Sequence, residues 1–198
     1  MDPRIEEILS FWFGAPSEEE ERLHGEALWF EASHATDRLI RDRFGKLYKK
    51  AKAGELNDWA ATSRGKLALV ILLDQVPRRI YRDTPEAFAT DEQALHLCWE
   101  ALDEGEDKLM SIPERAFLYM PAMHAEDVDA QLASVEIYQE LLADARPDQK
   151  DFCRTLLEKA EKAREVVERF ERFPERNYIL DRSSTSEEGA YLQQSGKL

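Results

Sequence analysis

Residues 63–76 read SRGKLALVILLDQV, and whether their apolar centre, Leu67 to Leu73, is a helix or a strand decides the fold. Seven apolar residues in a row suit a buried strand or a buried helix alike, because no face is polar and periodicity carries no signal. A strand, however, needs a neighbour to satisfy its backbone N–H and C=O groups. The chain contains no second strand candidate, so the run reads as a helix in the middle of the fold. Ser63 is placed to cap it, and Pro77 closes it after Val76.

The segments on either side repeat apolar residues every three to four positions, the spacing of helices with one buried face. Asp2-Pro3 opens a segment through Ile5, Ile8, Leu9 and Trp12 that stops at Gly14-Ala15-Pro16. A second is expected from Glu18 to about His34, and a third from Thr36-Asp37 through Ile40, Phe44, Leu47 and Ala51 to Gly54. Beyond the central run, Thr84-Pro85-Glu86 reads as a cap and start for a helix to Gly105. A shorter one is expected from Pro113 to Met120, ending before Pro121. A longer one from Ala125 to Ala143 is expected to turn Val128, Leu132, Val135 and Tyr138 to Leu142 inward. Pro147 starts the last long helix, striped by Phe152, Leu156, Ala160, Ala163, Val167 and Phe170.

Short connections between such elements give antiparallel helix pairs. The expected fold is therefore all-α, with helix pairs stacked in a tetratricopeptide-repeat-like array, although no 34-residue sequence repeat is present. One domain spans 1–198: N-terminal helices in 1–56, helix pairs across 57–182, and a polar tail, 183–198, in which Ser186-Glu187-Glu188 can open a short capping helix.

The composition fits this class: of 198 residues 43% are hydrophobic and 34% charged, with only 8 Gly and 8 Pro. The formal net charge of −14 opposes phosphate backbones and anionic lipid, which argues against nucleic-acid and membrane-surface partners. The amino terminus has no signal-like basic and apolar segments, and the longest apolar run is far below the roughly 20 residues of a membrane span. These features together predict a soluble cytoplasmic protein. Cys98 and Cys153 lack metal or redox spacing and read as reduced, buried thiols.

Two strings set several polar residues beside apolar walls. In LLDQVPRRIYR, residues 72–82, Asp74, Gln75 and Arg78 form a candidate ligand-binding group, since guanidinium groups grip carboxylates and phosphates bidentately. The same residues also read as loop support and charge neutralisation. In RAFLYMPAMHAEDVDAQ, residues 115–131, His124, Glu126 and Asp127 are candidate catalytic residues, with His124 as a general base oriented by an acid, and Gln131 one turn past Asp127 is a candidate ligand contact. The alternative for Glu126 and Asp127 is the acidic first turn of a helix. A metal is not expected, because only one histidine stands beside the acids, and no cofactor motif such as a Gly-rich phosphate loop occurs. Phe11-Trp12-Phe13 and Trp29-Phe30 read as core before they read as a stacking site.

Taken in order, ILSFWFG, LALVILLDQVPRRIYRDTPEAFATD, RAFLYMPAMHAEDVDAQ, RFERFPERNYIL and SSTSEEGAYL resemble the bacterial domain-of-unknown-function family numbered 924, over nearly the whole chain. The resemblance implies an all-helical, tetratricopeptide-repeat-like fold and no established activity. Its pattern falls here on Asp74, Gln75, Pro77 and Arg78, on Tyr119, Met120, Pro121, His124, Glu126, Asp127 and Gln131, and on Phe173, Pro174, Arg176 and Asn177. Arg79 stands where the family leads one to expect asparagine, and AREVVERFERFPERN, residues 163–177, lacks two expected histidines.

Two function classes stay open on the residues. One is a scaffold that binds a partner protein or peptide in a helical groove. The other is a site for a small anionic ligand, hydrolytic or binding only, in which the LLDQVPRR and MPAMHAED strings meet.

Overall fold

The computed structural model describes residues 2–14, 29 and 34–196. Helices and turns make up the ordered elements among these residues, with no strand. The run Leu67–Leu73 is helical and buried throughout, as its lack of a strand partner requires. The helix expected over 18–34 falls almost wholly outside the described residues.

The chain divides into two compact units, Met1–Arg82 with Glu86–Pro121, and Asp83–Pro85 with Ala122–Leu198. In the first, α1 (Pro3–Phe13) is capped by Asp2, whose carboxylate accepts from the Arg4 N–H at 3.0 Å. Helix α2 (His34–Lys52) buries Ile40, Phe44, Tyr48 and Ala51 and ends near Gly54, whose φ of 76° is the left-handed conformation glycine adopts freely. Helix α3 (Ser63–Val70) starts one residue earlier than expected. Thr62, not Ser63, is the cap, accepting from the Gly65 N–H at 3.1 Å, and Gly65 is required there because a Cβ would lie 1.9 Å from the Trp59 carbonyl oxygen.

The central helix does not end at Pro77. Proline has no N–H to give the carbonyl four residues back, here Leu73, and its ring would collide with that carbonyl in an α-helix. The chain relieves both conflicts by widening one turn. Ile71–Gln75 is π-helical, Val76 N–H bonds Ile71 O five residues back, and α4 (Val76–Ile80) continues beyond. The Leu73 carbonyl is taken instead by the Thr90 hydroxyl.

Helix α4 packs on α2, and α5 (Asp91–Asp103) packs on α3. The helix expected to start at Pro85 is delayed, because Pro85–Phe88 is a separate 3-10 turn. Helix α6 (Ile112–His124) passes through Pro121 rather than ending before it, and the division between the units falls within it. Its Phe117 ring lies edge-on to Trp12 of α1, centroids 6.0 Å apart, while Phe11 meets Phe44 of α2 at 5.0 Å. The aromatic run Phe11–Phe13 thus belongs to core packing.

In the second unit α7 (Val128–Asp144) and α8 (Lys150–Phe170) pack closely across the short connection 145–149, an antiparallel pair of the expected kind. Helix α7 begins at Val128, not Ala125, and its inner face differs from expectation. Val128 and Leu132 are exposed, and the buried stripe is Ala130, Gln131, Ser134, Val135, Tyr138 and Leu141. The tail forms α9 (Ser186–Ser195), started by a reciprocal cap in which Thr185 and Glu188 each bond the other's backbone N–H. Both cysteines are buried free thiols, and burial raises the pKa of Cys98. Among the described residues no helix is long and apolar enough to cross a membrane.

A charged cleft in the second unit

The first candidate string forms a closed network in the first unit. Asp74 is fully buried on the π-turn and pairs with Arg78 at 3.3 Å, while Gln75 Nε2 donates to the Asp74 carboxylate. Arg78 also donates bidentately to Asp91 of α5, at 2.8 and 2.9 Å, and to the Asp74 carbonyl, with its guanidinium 5.6 Å from the Phe88 ring. Burial works against the Arg78 charge, but Asp74 and Asp91 outweigh it and raise its pKa. The π-turn that Pro77 imposes is what aims Asp74 inward, and the network fastens it to α5.

The second string takes up separate roles in the second unit. Asp127 is the N-cap of α7, accepting from the Ala130 N–H at 2.7 Å. Gln131 turns inward and its amide donates to the carbonyls of Met123 at 2.9 Å and Ala125 at 2.7 Å, groups left without helical partners where α6 ends. Glu126 receives two bonds from Arg182, at 2.7 and 3.0 Å, and one from the Phe173 N–H at 2.8 Å. Burial alone would push Glu126 up, but Arg182, the Phe173 N–H and Arg176 outweigh it, so its pKa lies below the usual glutamate value. Arg182 further donates to the Phe173 carbonyl and to Asn177 Oδ1. Glu126 and Arg182 therefore clamp the turn Pro174–Arg176 and its flanks.

That turn forms one wall of a cleft of about 570 Å³. His124 and Met123 at the end of α6, Lys159, Lys162, Ala163, Glu165 and Val166 along α8, Phe173, Glu175 and Arg176 at the turn, and Tyr191 of α9 complete it. Arg176 is held on two sides: its guanidinium stacks 4.5 Å from the Phe173 ring centre and donates to the His124 carbonyl at 2.9 Å. Desolvation by the cleft lowers the Lys159 pKa. Two lysines, an arginine and a histidine thus share an apolar-backed cleft in a chain of net charge −14. Among the described residues no three His, Cys, Asp or Glu side chains converge in a way that could hold a metal.

The family model for bacterial proteins of unknown function, DUF924, matches residues 8–196. The chain belongs to this family. A solved structure, that of the protein of unknown function ATU0120 from Agrobacterium tumefaciens, is 35% identical, with a TM-score of 0.81, and the match covers 97% of this chain and 98% of that one. No curated protein matches the chain.

Of the residues singled out from sequence, His124 lines this cleft, Glu126 braces its wall, and Asp127 and Gln131 build the helix ends beside it. Asp74, Gln75 and Arg78 belong to the network of the first unit. Sequence reasoning did not point to Lys159, Lys162, Glu165, Glu175 or Tyr191. Within EKAEKAREVVER, residues 158–169, the lysines read as an ordinary solvated helix face, and nothing local distinguishes them.

Proposed function

We propose that the protein binds a small anionic organic molecule in the cleft of the second unit, with Arg176 as the anchor for its carboxylate or phosphate. The observation that carries this reading is the preorganised guanidinium: Phe173 stacking and the His124 carbonyl fix its plane before any ligand arrives. Lys159 and Lys162 add positive charge, and Met123, Val166, Phe173 and Tyr191 supply an apolar wall. A cavity of about 570 Å³ suits a small molecule better than a folded partner. Small-molecule recognition is therefore favoured here over a peptide groove.

Calorimetric titration with 3-phenylpropionate and phenyl phosphate tests the proposal. Saturable binding is expected, weakened at least tenfold in Arg176→Met. Because that change also removes the bond to His124, Lys162→Met, on the exposed helix face, serves as a second variant and is expected to weaken binding by a smaller factor. Absence of binding by both anions at millimolar concentration, or binding indifferent to both substitutions, would overturn it.

A further inference from the structure

We propose that the outward face of α2, in the first unit, is a docking surface for a short acidic segment of a partner protein. Charge is unevenly spread along the chain: residues 34–82 hold twelve of the 27 basic residues and only five of the 41 acids, within a net charge of −14. Helix α2 alone carries seven of those cations, and its acids are Asp37, which is buried, and Asp42. With about 3.6 residues per turn, its buried stripe lies opposite a face of Leu39, Asp42, Arg43, Lys46, Lys49 and Lys50, with Arg38 at the edge, and all of these are exposed. Arg43 is engaged by Glu7 at 3.2 Å, and its guanidinium lies 4.7 Å from the Phe11 ring centre. Among the described residues Arg38, Lys46, Lys49 and Lys50 have no ion-pair or hydrogen-bond partner for their side chains.

The helix dipole accounts for Lys49 and Lys50 in the last turn, but Arg38, Arg43 and Lys46 lie nearer the start and middle of α2, where the dipole does not favour a cation. Lys46 stands three or four residues from Arg43, Lys49 and Lys50, and like charges at that spacing repel one another. An acidic segment laid along the face relieves this repulsion and accepts charge-assisted hydrogen bonds from the four cations. Leu39, 48% exposed, adds an apolar contact at one end of the same face. The length of the patch selects the occupant. Nineteen residues make a helix of about 28 Å, and in the rest of the chain beyond residues 34–82 acids outnumber bases by more than two to one. A short stretch of acidic polypeptide meets only the cations, whereas a nucleic acid or an anionic membrane extends past them into a field that repels it.

The test is fluorescence anisotropy of a labelled oligo-L-glutamate no longer than α2, titrated with the full chain at low salt. Saturable binding is expected, weakened about tenfold or more in the triple variant Lys46→Glu, Lys49→Glu, Lys50→Glu. A charge-matched control, Lys108→Glu, Lys150→Glu, Arg154→Glu, changes three exposed cations elsewhere and is expected to stay within about threefold of the unaltered protein. The milder pair Lys46→Gln, Lys50→Gln, which reverses no charge on the helix, is expected to weaken binding by about threefold or more. Oligothymidylate and phosphatidylserine vesicles are expected to bind more weakly than oligo-L-glutamate. Absence of saturable binding, or equal weakening in the triple variant and its control, would overturn the docking surface. Binding of oligothymidylate or of the vesicles as tightly as oligo-L-glutamate through the same lysines would overturn its assignment to an acidic protein segment.

Discussion

Replacing Arg182 by methionine should loosen the whole turn that carries Phe173, Glu175 and Arg176. One guanidinium makes four bonds there: two to Glu126, one to the Phe173 carbonyl and one to Asn177. The side chains of Arg182 and Glu126 are 24% and 22% exposed, so the pair is neither a free surface bridge nor a fully dry one. Exposed pairs contribute about 0–1 kcal/mol, and breaking a buried one costs about 3–5 kcal/mol. A cost of roughly 2–3 kcal/mol lies between these limits, and methionine keeps the apolar stem so that packing loss stays small. For a chain of this size each kcal/mol moves Tm by about 2–4 °C, which gives a drop of roughly 4–12 °C. Denaturant titration followed by circular dichroism measures the cost directly. Because Glu126→Gln removes the same interaction, the double variant should cost clearly less than the sum of the single ones. A single-variant cost below about 0.5 kcal/mol, or full additivity, would refute the clamp.

Three further outcomes follow from the same geometry. Gln131→Leu should cost about 1–3 kcal/mol, since the carbonyls of Met123 and Ala125 lose their donor, whereas Leu132→Ser, on the exposed face, should stay within about 0.5 kcal/mol; equal effects in a urea titration would contradict the assigned helix face. Thr90→Val keeps the side-chain shape but leaves the Leu73 carbonyl without the donor that Pro77 cannot replace, and a loss of about 1–3 kcal/mol is expected in the same assay, an unchanged midpoint counting against this account of the π-turn. Arg172 and the Thr185 N–H hold Glu188 at a pKa of about 2, below its unfolded value of about 4.3, so its stabilisation is present above pH 4.3 and is lost as pH falls toward 2. Glu188→Gln should therefore lose less stability between pH 6 and pH 3 than the unaltered protein, and identical pH profiles would exclude the contribution.

The helical class was legible because it rests on a necessity: LALVILL without a second strand leaves no way to satisfy a strand's backbone. The positions of helix ends are less legible at prolines, which local rules treat as stops. At Pro77 the chain widened a turn, and at Pro121 the helix continued to His124, with Gln131 from the next helix bonding the last carbonyls. Both solutions depend on residues outside the helix concerned, Thr90 and Gln131, that local rules do not consult. The inner face of α7 departs from its apolar pattern for the same reason. Counting apolar residues favoured Val128 and Leu132, while the actual stripe includes Gln131 because unpaired carbonyls need its amide.

The cleft was legible only in part. His124 drew attention through its acidic neighbours, yet Glu126 is engaged by Arg182 and Phe173, Asp127 by the start of α7, and His124 lines a cleft with side chains from 35 or more residues later. Lysines at 159 and 162 in a run of alternating charge carry no local mark of a site, because their meaning comes from the turn and the last helix packed beside them.

The central claim, that Arg176 anchors a small anion in the second unit, is tested most directly by NMR titration of isotopically labelled protein with 3-phenylpropionate, observing the Arg176 side-chain Nε–H and the backbone amides of the cleft. Saturable shifts centred on Arg176, Phe173 and Tyr191, absent on titration with the neutral 3-phenylpropionamide, are predicted; shifts that leave the Arg176 Nε–H unmoved, or that are the same with the amide, would contradict the account.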